Sequence, residues 1–288
     1  MVWWLLTGIV LLVGLFLART QQKRRAQEAR LNARLRAIAQ LGLLRELLEQ
    51  VQRHRGLCYG VMSGAHALEC DRWTVHAHVT RLLEIAVEHE ANLAWHDPWK
   101  QIHPRWQQID QAREGDAVKV LQLHHELAAL ILATIEALGH RHDLICLGGL
   151  APQPEGLWME LLNNSELLGK ARAVGTGIAA RRQNKPPQLQ ELERLSMQVR
   201  EQLYLAPAQL SVEPRLREAL AKPVREAEDR VDALLQAIEA LLRDTAHTGM
   251  GSMAFFKIAT QAVSAQYMLA DLLLERLRLE TETALRQG

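Results

Sequence analysis

Apolar residues recur at alternating steps of three and four through most of the chain, and no stretch shows strict strand-like alternation, so the pattern predicts helices throughout. Residues 2–18 are uncharged and predict one helix, which a polar stretch at 20–35 extends as a basic stalk. An apolar stripe opens beyond residue 36 and runs to Ser63-Gly64. Further helices are expected at about 67–95, in a short segment opened by Pro104, at 116–138 before a break at Gly139, and at 157–182 and 189–205. Two long ones follow at 215–246 and 252–286, with Pro223 kinking or starting the first. Pro207 and Pro214 bracket an expected turn, and the breaker-rich stretch 147–156 is the expected hinge. The expected fold is all-α: two antiparallel bundles of seven or eight helices, with halves at about 36–147 and 157–286.

The run at 2–18 has two tryptophans at one end and Arg19, Lys23, Arg24 and Arg25 beyond the other. At about 1.5 Å per residue it is a short single span of the hydrocarbon core. The positive charges follow the run rather than precede it, which argues against a secretory signal and places the C-terminal side in the cytoplasm. The expectation is a single-pass membrane anchor at 1–19, N-terminus outside, with the main domain cytoplasmic.

A formal net charge of +1 gives no electrostatic case for nucleic acid. Cys58, Cys70 and Cys146 have no paired spacing, so neither a disulfide framework nor a zinc site is expected. The histidines are also poorly spaced for a metal: His76 and His78 cannot share a helix face, and His124-His125 are adjacent. Trp95, Trp99 and Trp106 are expected to cap a bundle end. No phosphate loop, dinucleotide fingerprint or activated nucleophile is present, so no enzyme, cofactor or metal is expected.

Two positions break the stripes. Leu44, Leu48, Val51, Arg55, Cys58 and Met62 fall on one seam, with an arginine where a leucine belongs. Trp158, Leu161, Ser165, Leu168, Arg172, Gly175 and Ala179 repeat that spacing around a second arginine. A buried guanidinium needs a partner. Glu84, Glu88, Glu160 and Asp271 are available from other helices, or a small planar oxyanion between the two arginines could accept the guanidinium forks. Gly56 and Gly60 thin one helix, and Gly175 and Ala179 would leave room for something small on the other. His54 is expected at the surface.

LLRELLEQVQRHRGLCYGVMSG resembles the opening helix of the nitrate- and nitrite-sensing domain of bacterial receptors, with its R-x-R-G turn. SELLGKARAVGTGIAARR resembles that family's second basic helix, and MGSMAFFKIATQAVSAQYMLADLL its closing helix. The resemblance covers about residues 36–280. It implies two four-helix bundles that bind nitrate or nitrite through arginines, hence Arg55 and Arg172 as ligands with Arg53 and Gly56 as motif neighbours. Thr260 joins them on the stripe of Met253, Phe256, Thr260, Val263 and Tyr267. Family members usually continue into an output module, whereas this sequence ends at Gly288, so the signal would pass through the membrane segment, a homodimer or an unidentified signalling partner. The alternative is a membrane-tethered helical adaptor whose pocket is vestigial and whose arginines each meet a glutamate.

Overall fold

A computed structural model describes residues 2–88, 93–112, 115–145, 154–181, 186–212, 214–243 and 249–287; side chains at 2–13, 154–155, 212 and 214–215 are not described. Those residues are all helical apart from turns and bends, as the three-four pattern predicts. The first helix, α1 (Val2–Met62), runs without interruption from the apolar N-terminal stretch through the basic stalk into the core. It stops where Gly64 takes φ 110°, a left-handed conformation that glycine adopts without steric cost. A 3₁₀ turn then leads into α2 (Glu69–Glu88).

α3 (Asp97–Ala112) starts at the Asp97-Pro98 pair rather than at Pro104. Proline suits a first turn, whose amide has no intrahelical acceptor, and Pro104 is carried inside the helix on an exposed position. Asp116 caps α4 (Ala117–Arg141), its carboxylate accepting from the Val118 amide. Gly139 does not end that helix: it is buried, and a Cβ there would stand 2.6 Å from Ile145 and 3.2 Å from Trp158, so the glycine serves close packing. α5 (Trp158–Ala180) and α6 (Pro186–Gln202) follow. The expected turn between Pro207 and Pro214 is instead a short helix, α7 (Leu205–Val212), because Pro207 sits in its first turn. α8 (Pro214–Arg243) passes through Pro223, and α9 (Ser252–Gln287) closes the chain. Most of the expected hinge at 147–156, namely 147–153, lies outside the described residues, as does Cys146.

The buried apolar side chains form one contiguous cluster reaching every major helix. α1 is its axis: it packs against α2 and α4 on one side and α5 and α9 on the other, while α3 lies on α4, α6 on α5, and α8 on α9. The last turns of α1 are enclosed in this way, and every residue from 51 to 60 except Arg53 is buried. Trp99 and Trp106 belong to the core rather than to a bundle end, while Trp95 is exposed.

Among the described residues Ala117–Arg141 is long and apolar enough to cross a membrane, yet it packs a buried face against α1 and α3. The side chains of the N-terminal run up to residue 13 lie outside the description; those of Leu15, Phe16 and Leu17 are exposed.

Candidate anion site

Arg55 and Arg172 are among the largest fully buried side chains, at 0% and 1% exposure, because both occupy seam positions of helices packed on each other. Glycines permit the approach. A Cβ on Gly169 of α5 would stand 2.7 Å from Arg55 Nη2, and one on Gly56 of α1 would stand 3.4 Å from Arg172 Nε. Each arginine therefore lies against a glycine of the facing helix.

Their partners differ. Arg55 makes a two-pronged ion pair with Glu166 of α5, Nη1 donating to Oε1 at 2.7 Å and Nη2 to Oε2 at 3.1 Å. Gln52 Nε2 donates to the same Oε2 at 3.0 Å, and Lys170 Nζ stands 3.8 Å from Oε1. Among the described residues no carboxylate contacts Arg172, and Glu49 acts on it from a distance. Its Nη1 donates to Thr260 Oγ1 of α9 at 3.2 Å, and its guanidinium carbon lies 5.2 Å from the centre of the Phe256 ring. Nε and Nη2 of Arg172, both buried, have no acceptor among the described residues. Burial first, and the nearby charge of Arg55 second, pull the Arg172 guanidinium down to about 9. Two guanidinium charges and one carboxylate thus leave this buried group with one positive charge in excess, together with two donors that have no acceptor among the described residues.

The arrangement brings together Arg55, Gly56, Arg172 and Thr260. Arg53 stays half-buried, and its charge opposes that of Arg172 from outside the cluster. Gly175 does not leave room for a ligand: a Cβ there would run into the Phe255 ring, so phenylalanine fills the space. None of the carboxylates named from sequence reaches either arginine. Asp271 pairs with Arg45, while Glu84, Glu88 and Glu160 are exposed.

Glu166 was not foreseen, since it lies off the arginine stripe; its sequence signal is the pair Glu166 and Gly169 on adjacent turns, an acid beside a gap. His54 is a correction. It is buried at 2% exposure because the face that would be solvent in an isolated helix is covered by α2 and α4. His124 Nδ1–H donates to the Val120 carbonyl at 2.7 Å, which leaves its Nε2 to accept from His54 Nδ1–H at 2.8 Å. His76, whose ring lies beside those of both His54 and Trp106, meets Asp110 at 3.1 Å. Among the described residues no three histidine, cysteine, aspartate or glutamate side chains are grouped to hold a metal.

No family model matches the chain, and no curated protein is similar to it. Among solved structures it is similar to the NasR transcription antiterminator, with a TM-score of 0.53 and 18% identity over 95% of this chain and 75% of that one. At that identity the likeness concerns the fold.

Proposed function

We propose that this chain is a membrane-anchored cytoplasmic sensor that binds a small planar oxyanion of the nitrate or nitrite class at Arg172 and Arg55. One observation carries the reading: Arg172 is fully buried and, among the described residues, has no carboxylate in contact and two donors without acceptors, in a buried group with one surplus positive charge. A buried unpaired cation costs several kcal/mol, on the order of 3–5 when the partner is removed from an ion pair, so a monoanion is the natural complement. The chain falls into two bundles, α1–α4 and α5–α9, with α1 seated against both and the arginines at the contact between α1 and α5. The anion strengthens that contact and shifts the population towards the state that makes it. The anchor at 2–18 joins this domain to an inner membrane, and a second copy or a separate partner takes up the signal.

The adaptor reading draws on Arg55, which does have its own glutamate, but among the described residues it leaves Arg172 without a carboxylate in contact. Calorimetric titration of the full chain in lipid nanodiscs separates the two. The sensor requires saturable binding of nitrate or nitrite that Arg172→Ala abolishes; absence of binding, or unchanged binding in that variant, favours the adaptor.

A further inference from the structure

We propose that Glu166 sets the ligand's charge: a resident carboxylate that cancels Arg55 and so restricts the site to a single negative charge. This rests on the anion reading of Arg172 and extends it from where the ligand binds to which ligands are refused.

The buried groups Arg55, Arg172 and Glu166, at 0%, 1% and 7% exposure, carry one positive charge between them, while Lys170, 3.8 Å from the carboxylate, has its charge out in water. A monovalent oxyanion on the free Nε and Nη2 of Arg172 brings that sum to zero. A divalent one would leave a buried negative charge, and the cost of burying charge rises with its square. Sulfate would therefore be refused on charge, as well as on size.

Glu166 is also placed to act as the site's stopper. It stands between buried Arg55 and a surface cleft of about 320 Å³ bounded by α4, α5 and α6, where His125, Asn163, Lys170 and Gln198 form the walls. Lys170 belongs to both: it lines the cleft and lies 3.8 Å from the carboxylate. A carboxylate drawn from Arg55 towards the lysine would uncover the guanidinium to an arriving anion without leaving either charge unpaired. Gln52 holds the closed position through its hydrogen bond at 3.0 Å.

The test compares nitrate with sulfate in calorimetric titrations of the full chain in nanodiscs, using wild type and Glu166→Gln. The amide keeps the side chain's size and removes its charge, so the cluster becomes doubly positive. Wild type is expected to prefer nitrate, and the sulfate-to-nitrate affinity ratio is expected to rise by about tenfold or more in the variant. Comparing this ratio between the two proteins cancels the contribution of anion size.

If wild type binds nitrate and the variant keeps the wild-type ratio, or binds neither anion, the selector role fails while the site stands. If wild type binds neither anion, the site itself fails and the selector with it. Glu166→Gln leaves Arg55 unpaired and could prevent folding, so Arg55→Gln/Glu166→Gln provides a second arm. That double variant removes both members of the pair and keeps the single charge of Arg172. It is expected to bind more weakly with a nitrate preference intact; a sulfate preference, or loss of all anion binding, overturns the proposal.

Discussion

Replacing Arg172 by methionine should stabilise the empty protein, the opposite of what removal of a large buried side chain usually does. The guanidinium is 1% exposed and, among the described residues, donates to Thr260 Oγ1 alone, at 3.2 Å. Burial beside Arg55 brings it down to about 9. That is a drop of roughly 3.5 from the ordinary guanidinium value, which at about 1.4 kcal/mol for each step corresponds to roughly 5 kcal/mol against the charged native form. The penalty is present in full at every pH below about 9, because the unfolded chain holds the proton at no cost there. The Phe256 ring and the Thr260 hydroxyl offset part of it, by about 1–2 kcal/mol together. Methionine fills a similar volume without a charge, so a gain of about 2–4 kcal/mol is expected.

The measurement is urea denaturation of the full chain in detergent, followed by circular dichroism, in a buffer whose only anion is a bulky organic sulfonate. Adding nitrate at a hundred times its dissociation constant should then stabilise wild type by about 2.7 kcal/mol and leave the variant unmoved. The variant's advantage must shrink as nitrate rises. An Arg172→Met protein less stable than wild type without nitrate, or an advantage independent of nitrate, refutes the claim that this charge is unpaired.

Mild acid should destabilise the domain through His54 and His124. Burial holds His54 well below its ordinary value and His124 at about 3, so between there and pH 6.5 the unfolded state takes up protons that the native state refuses. Stability is then level above neutrality and falls as the pH drops, by about 1.4 kcal/mol for each histidine between pH 7.5 and 5.5. Urea midpoints at the two values test this: the double variant His54→Gln/His124→Gln should lose the share of those two histidines, about 2.7 kcal/mol, and keep that of His125, which burial also holds at about 3. Two glycines of one helical fold should respond oppositely to alanine. Gly169→Ala pushes a methyl to 2.7 Å from Arg55 Nη2 and should cost about 1–3 kcal/mol, whereas at exposed Gly42, with nothing within 4 Å, alanine should stabilise α1 by about 0.5–1 kcal/mol. Thermal denaturation of the two variants in parallel distinguishes packing from propensity.

The helical class and most helix positions were legible because periodicity reports them directly, and Arg55 and Arg172 stood out as charges on apolar seams. What surrounds those arginines was harder to read. Glu166 sits off the stripe of its own helix and meets Arg55 only because α5 crosses α1 there, a tertiary fact that no spacing encodes. His54 was misplaced for a related reason: an outward-facing position was assigned as if α1 had a free side, but α2 and α4 cover it. Gly139 and Gly175 show a further limit. Each is read from sequence as a break or a gap, and each is instead occupied by a neighbour, Ile145 with Trp158 in one case and Phe255 in the other.

The unbroken course of α1 bears on how any signal could travel. Its 61 residues contain no proline, and the helix runs unbroken between Arg55 and the apolar stretch near its start. At about 1.5 Å per residue, Arg55 lies roughly 55 Å along the axis from residue 18. Such an element behaves as a torsion shaft: it resists bending into two independent parts, and a turn applied at one end reappears at the other. A guanidinium that changes partners off the axis applies a torque rather than a pull. On the sensor reading, the quantity delivered to the membrane end is then the angular setting of the helix, fixed by which anion Arg55 faces.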